Sequence, residues 1–183
     1  MNQIILHNKT FIKYINHQDI LLAVKNIALQ INEDMKNETE PPIFLSVLNG
    51  AFMFTSDLMK YIDFNCTLSF IKINSYKGTS SKGNFDEPIG LNTNLEGKTV
   101  IVVEDIVDKG ATIEFLVDKI KKQNPKVLKI ASMFFKPEAY KKDIKIDYTG
   151  INIAEDFVVG YGLDYDELGR NYSDIYKIVT KNV

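Results

Sequence analysis

The chain has 183 residues, a length that fits one domain and allows about two-thirds of the surface to be buried. With 45% hydrophobic and 25% charged residues and a net charge of −2, the composition is that of a globular protein. It argues against a general affinity for nucleic acid or anionic membranes, while leaving room for a local basic pocket.

One cysteine, Cys66, excludes an internal disulfide, and it sits in the apolar stretch Cys66-Thr67-Leu68-Ser69-Phe70, as a core thiol would. The N-terminus lacks the basic-then-apolar order of a signal peptide, and no apolar run is long enough to span a membrane. The expected location is the cytoplasm.

Ile20, Leu21, Val24, Ile27, Ala28, Ile31 and Met35 recur at helical spacing and predict a helix over 18–36. Pro41-Pro42 ends that pattern and introduces a strand, Ile43–Leu48. Asn49-Gly50 turns the chain into a second helix reaching about Ile62, and a further strand is expected near Cys66–Ile73. Residues 75–90 are rich in Ser, Gly, Lys and Asp and have no apolar period, so they read as a long loop of the functional kind. Beyond the strand starting at Val100, a helix to about Lys122 and a strand Val127–Phe135 follow. A strand pair near Gly150–Val159 and a last strand near Ile175–Thr180 complete the reading. No repeat or linker divides the chain. Strands alternating with helices predict a single α/β domain over 1–183, with a mostly parallel twisted sheet and helices on both faces.

The segment Val100–Thr112, VIVVEDIVDKGAT, concentrates the chemistry. Four apolar residues without a break are the pattern of a strand buried on both faces. Glu104 and Asp105 stand at its exit, Asp108 follows, and Lys109-Gly110-Ala111-Thr112 opens a helix carrying Ile113, Phe115, Leu116 and Ile120. In open α/β sheets ligands bind at the carboxyl ends of strands. A glycine turn opening a helix presents free N–H groups and the positive dipole end to an anion. Carboxylates beside an anion site suit a phosphorylated sugar with a bridging metal.

These residues resemble the phosphoribosyl-diphosphate signature of the type I phosphoribosyltransferases, in which two acids precede a D-x-G-x-T loop. The resemblance implies that family's fold, with a small hood built from the terminal segments and a flexible lid loop at about 75–90. It implies that Glu104 and Asp105 lie against the ribose hydroxyls, directly or through metal-bound water. Asp108, Lys109, Gly110, Ala111 and Thr112 would cradle the 5′-phosphate. Asp108 would stand near N7 of a purine as general base. Leu48, Asn49 and Gly50 correspond to the family's diphosphate loop, where the peptide, here Leu48–Asn49, is often cis. Many members carry Lys where this chain has Asn49, a change that removes a cation from the loop. Ser75 and Tyr76 match the family's Ser-Tyr pair in the lid.

A second motif, Phe157-Val158-Val159-Gly160-Tyr161-Gly162-Leu163-Asp164, closely resembles the purine-salvage branch, the hypoxanthine (hypoxanthine-guanine) phosphoribosyltransferases. It follows Lys136 at that branch's spacing. By this resemblance Lys136 donates to a 6-oxo group, which disfavours adenine. Phe157 stacks on the purine, Val158 offers backbone groups to its edge, and Asp164, with Glu104 and Asp105, serves Mg2+. Arg170 is the only arginine among the 22 basic residues and resembles the family's pyrophosphate arginine, whose planar fork suits phosphate oxygens. The implied substrates are hypoxanthine or guanine and phosphoribosyl diphosphate, and the implied assembly is a homodimer or homotetramer.

Two readings on the same fold stay open: a xanthine-preferring phosphoribosyltransferase and a phosphoribosyl-diphosphate-sensing regulator. A phospho-acceptor receiver would want an acid pair at the first strand, and Ile43–Leu48 has none. The G-x-x-x-x-G-K-[ST] loop of nucleotide hydrolases is absent from the sequence.

Overall fold

The computed structural model describes residues 2–75 and 85–179. The chain begins with two short strands, β1 (Gln3–Leu6) and β2 (Lys9–Ile15), and a helix α1 (His17–Met35). The Asn16 side chain caps α1 by accepting from the Asp19 N–H at 3.0 Å. Then come β3 (Ile43–Leu48), α2 (Phe52–Met59), β4 (Thr67–Ser75) and β5 (Phe85–Ile89). The signature strand is β6 (Thr99–Val107), followed by α3 (Ala111–Lys121), β7 (Val127–Phe135), β8 (Tyr148–Asn152), β9 (Val158–Val159) and β10 (Ile175–Ile178).

Six strands form one sheet in the order β5-β4-β3-β6-β7-β8. All neighbours are parallel except β5, which runs antiparallel along β4. The parallel strands stand in the doubly wound order, and the direction of winding reverses between β3 and β6. That reversal opens a crevice at the carboxyl ends of these two strands.

The unbroken apolar run of β6 is explained by what covers it. Ile101 and Val103 face α1 and α2, packing with Ile27, Ile31, Phe54 and Leu58. Val100 and Val102 face α3, packing with Ile113, Leu116 and Ile120. Each fully buried side chain of this kind contributes roughly 1.5–3 kcal/mol. Cys66 is partly buried against the α1 side, and burial pushes its thiol up, in keeping with a core role.

The other sheet is the hood, four antiparallel strands in the order β1-β2-β10-β9, closed over Ile4, Leu6, Phe11, Val159 and Tyr176. It joins segments from the two ends of the sequence.

Three expectations need correction, and one pair of strands was not foreseen. The second helix stops at Met59, and residues up to Tyr61 close turns instead, with the Tyr61 N–H donating to Leu58 O at 3.0 Å. The end of the expected loop, 85–89, is strand β5. It contains Pro88, which an edge strand accommodates because one side needs no N–H donor. The expected pair near Gly150–Val159 is divided, β8 joining the large sheet and β9 the hood. Finally, β1 and β2 are strands without a sustained apolar alternation to announce them. Tyr76 and the centre of the expected lid lie outside the described residues.

Candidate active site

The turn after β3 occupies the crevice. The Leu48–Asn49 peptide is cis. The turn is closed by the Ala51 N–H to Val47 O at 3.2 Å and the Phe52 N–H to Asn49 O at 3.3 Å. Two glycines let this turn sit where it does. A Cβ on Gly50 would lie 1.4 Å from Asp105 Oδ2, and a Cβ on Gly162, whose φ is +98°, would lie 2.0 Å from the Gly50 carbonyl oxygen. The turn is therefore held between the Asp105 carboxylate and the Gly162 backbone, so three motifs remote in sequence share one crevice.

Glu104 and Asp105 occupy the mouth of β6. Glu104 is buried, and its Oε2 has no hydrogen-bond partner. Burial, with the neighbouring Asp105 charge, pushes the Glu104 carboxyl well above the usual carboxylate range. Burial also raises Asp105, opposed by its hydrogen bond from Glu104, by the Ile106 N–H at 2.7 Å and by the Arg170 charge. The contact between the two carboxyls thus acts in opposite directions, raising Glu104 and lowering Asp105.

The phosphate loop follows. Gly110 caps α3 in the left-handed conformation, φ +81°. A side chain there would meet the Tyr140 ring at 2.5 Å. Tyr140 is fixed by donating to Ile144 O at 2.7 Å and by packing edge-on against Phe135. Glu104 through Ile113 line a cavity of about 490 Å³, with Asp108, Lys109, Ala111 and Thr112 all at its wall.

Lys136 leaves the end of β7 with its N–H bonded to Val107 O at 3.0 Å, which ties it to the end of β6. Its side chain is buried, and its Nζ donates to Asp108 Oδ2 at 3.1 Å. The expected base and the expected carbonyl-binding lysine are therefore in contact. Phe157 presents an exposed ring, supported by Tyr165 and Phe11 at centroid distances of 5.9 and 6.4 Å. Val158, in β9, is buried beside it.

Arg170 and Asp164 form an ion pair of 2.7 Å, and the other guanidinium arm donates to Gly162 O at 2.8 Å. The second Asp164 oxygen accepts from the Glu167 N–H at 2.8 Å. Tyr161 is buried between the two flanking glycines. Its hydroxyl donates to Asp57 Oδ2 of α2 at 2.8 Å, and burial drives its ionisation far upward. Arg170 and Asp164 border a cavity of about 350 Å³ under the Leu48–Gly50 turn.

Among the described residues, no group of three or more His, Cys, Asp and Glu could hold a metal by itself. Three carboxylates around an open cavity, one with an orphaned buried oxygen, still fit Mg2+. That ion takes hard oxygen ligands, retains water and is usually completed by substrate phosphate.

Two adjoining cavities bring together Leu48, Asn49, Gly50, Glu104, Asp105, Asp108 to Thr112, Asp164 and Arg170, and Lys136 joins them through Asp108, while Phe157 and Val158 lie in the hood at the start of β9. Ser75 ends β4, and Tyr76 lies outside the described residues. Sequence reasoning missed Tyr140, the Asp57–Tyr161 bond, and Lys72 and Glu167, which also line the smaller cavity. For Lys72 a signal existed, a lone charge near the end of an apolar strand, Phe70-Ile71-Lys72-Ile73.

The phosphoribosyl transferase domain family matches residues 13–166 of the chain. A hypoxanthine-guanine phosphoribosyltransferase of Streptococcus pyogenes is 38% identical over 157 residues, covering 85% of this chain and 86% of that protein. One from Streptococcus thermophilus matches at the same identity and coverage. Among solved structures, a hypoxanthine-guanine phosphoribosyltransferase from Bacillus anthracis superposes with TM-score 0.84 at 38% identity, covering 91% of this chain and 98% of the other. The Trypanosoma cruzi hypoxanthine phosphoribosyl transferase gives 0.87 at 30% identity, covering 96% and 95%.

Proposed function

The chain belongs to the phosphoribosyltransferase family, and from that premise we infer that it is a purine-salvage enzyme of the hypoxanthine-guanine branch. It transfers phosphoribosyl from phosphoribosyl diphosphate to N9 of hypoxanthine or guanine, releasing pyrophosphate. The observation that carries this reading is the Lys136–Asp108 contact at the rim of the phosphate cavity. In this reading Lys136 donates to the 6-oxo group and the neighbouring Asp108 carboxylate accepts the N7 proton. An adenine 6-amino group would face that donor without an acceptor.

Each remaining residue has a task in this scheme. The loop Asp108–Thr112 binds the 5′-phosphate with the N–H groups at the start of α3. Glu104 and Asp105 face the ribose hydroxyls. Phe157 stacks on the purine, and Val158 meets its edge. Arg170 and the Leu48–Gly50 turn hold the leaving diphosphate, and Ser75 and Tyr76 belong to a lid that shields the ribosyl centre from water. Asp164, with Glu104 and Asp105, would hold Mg2+, which when bound neutralises charge on the diphosphate. With no covalent nucleophile in this scheme, positioning and electrostatics provide the catalysis. The reading extends to a homodimer or homotetramer working in the cytoplasm. Among the described residues no helix is long and apolar enough to cross a membrane.

The test is a panel of bases. Protein, magnesium and phosphoribosyl diphosphate are mixed with hypoxanthine, guanine, xanthine, adenine or uracil, and nucleotide formation is followed. Turnover of hypoxanthine and guanine with adenine inert is expected. Faster turnover of xanthine would reassign the base. Binding of phosphoribosyl diphosphate without any turnover would replace the enzyme with a sensor.

A further inference from the structure

The cavity under the Leu48–Gly50 turn is bordered by four acids, Glu104, Asp105, Asp164 and Glu167, and by two cations, Arg170 and Lys72. A diphosphate entering it needs positive charge that the protein has not already used. Arg170 is engaged at both ends, by Asp164 and by Gly162 O. Lys72 is not. Several lysines of this chain pair with acids, Lys13, Lys60, Lys129, Lys136 and Lys142 among them. The Lys72 ammonium makes no hydrogen bond or ion pair with any of the described residues.

Its placement is set by the sheet. In the parallel register of β3 and β4, Lys72 stands opposite Leu48, the residue that opens the turn. The adjacent Ile71 is buried on the α3 side, so alternation turns Lys72 to the other face. The turn itself carries Asn49, a neutral side chain.

We propose that Lys72 is a binding residue for the diphosphate group, supplying from the neighbouring strand the cation that the turn lacks. A lysine suits this role as a mobile point charge on a flexible stem. The inference rests on the transferase reading, because it takes the cavity as the diphosphate subsite.

Calorimetric titration of the full chain with magnesium pyrophosphate and with IMP tests it in wild type, Lys72→Met and Lys72→Arg. The loss of one charge-assisted contact should weaken pyrophosphate binding by roughly 10- to 100-fold in Lys72→Met. IMP, whose phosphate sits at Thr112, should bind as before, and Lys72→Arg should retain pyrophosphate affinity. Asn49→Lys added to Lys72→Met should restore it. Unchanged pyrophosphate affinity in Lys72→Met would overturn the assignment, as would equal weakening of IMP. If Lys72→Met fails to fold, Lys72→Gln takes its place. Binding is read without turnover, so a wild type that binds both ligands but transfers nothing would defeat the transferase reading while leaving Lys72 in place.

Discussion

Gly162 offers the sharpest test of how the site is assembled. In Gly162→Ala two effects combine. The backbone at φ +98° is one that an L side chain rarely adopts, a strain of about 1–2 kcal/mol. The new Cβ would also stand 2.0 Å from the Gly50 carbonyl oxygen, whereas ordinary contact begins near 3.4 Å. Backbone cannot yield as a flexible side chain does, so the Leu48–Gly50 turn must retreat by more than an ångström. A misplacement of about 1 Å at reacting groups reduces rate about 100-fold.

Gly97→Ala is the control. Gly97 also has positive φ, +66°, but nothing lies within 4 Å of its Cβ position. Strain alone lowers Tm by roughly 2–8 °C in a domain of this size. Both variants should show that loss, and only Gly162→Ala should lose about 100-fold in kcat/KM for phosphoribosyl diphosphate. Equal kcat/KM in the two variants would refute the claim that this contact sets the turn's position.

Four further outcomes are expected. Asp108→Asn should lower turnover by about 10²–10⁴ while sparing substrate binding, and unchanged turnover would remove its role as base. Lys136→Met should raise the KM for hypoxanthine roughly tenfold or more and leave that for phosphoribosyl diphosphate unaltered. A parallel rise in both would contradict the base-pocket assignment. The raised carboxyl of Glu104 makes the folded state bind more protons than the unfolded one, so stability falls as pH climbs above the ordinary Glu value. Glu104→Gln should flatten that decline in a Tm–pH profile while impairing turnover, and an unchanged slope would count against the raised carboxyl. Glu38 behaves oppositely. Lys126 and Thr99 hydrogen-bond it and hold its carboxyl down to about 2. Its contribution is present above pH 4.5 and fades as pH falls toward 2, so Glu38→Gln should blunt the acid limb of the profile, and an identical limb would refute the assignment.

The large sheet was legible because its residues report their surroundings locally. Val100–Val103 could only be a strand covered on both faces, and α1 shows its buried stripe from Ile20 to Met35. The phosphate loop was legible for a similar reason, since Gly110 and its flanking acids lie within one short segment. What remained hidden depends on partners far away in sequence. Phe85–Ile89 becomes a strand only because β4 offers it an edge, and β9 is two residues long, defined by Tyr176 and Lys177 opposite. Lys72 stands out in sequence as a charge in an apolar strand, but its tie to the turn emerges only once the β3–β4 register sets it against Leu48. Tyr140 covers Gly110 through a contact that no local pattern encodes.

The division of the molecule into two sheets bears on how base preference could drift over evolution. In the proposed scheme the 6-oxo group is read by Lys136, at the end of a central strand and locked to its neighbour by the bond to Val107 O. That bond is made by the backbone and survives a change of side chain, whereas the contact of Nζ with Asp108 does not. The ring face and the opposite edge are read by Phe157 and Val158, carried by a two-residue strand that pairs only with β10. Phe157 is exposed and packs on Phe11 and Tyr165, apart from the large sheet, whereas Val158 belongs to the core beneath that sheet. In that scheme hypoxanthine, guanine and xanthine, which differ at C2 away from Lys136, are separated by changes on the hood side of the site, whereas a change to adenine requires replacing Lys136 and with it the partner of Asp108.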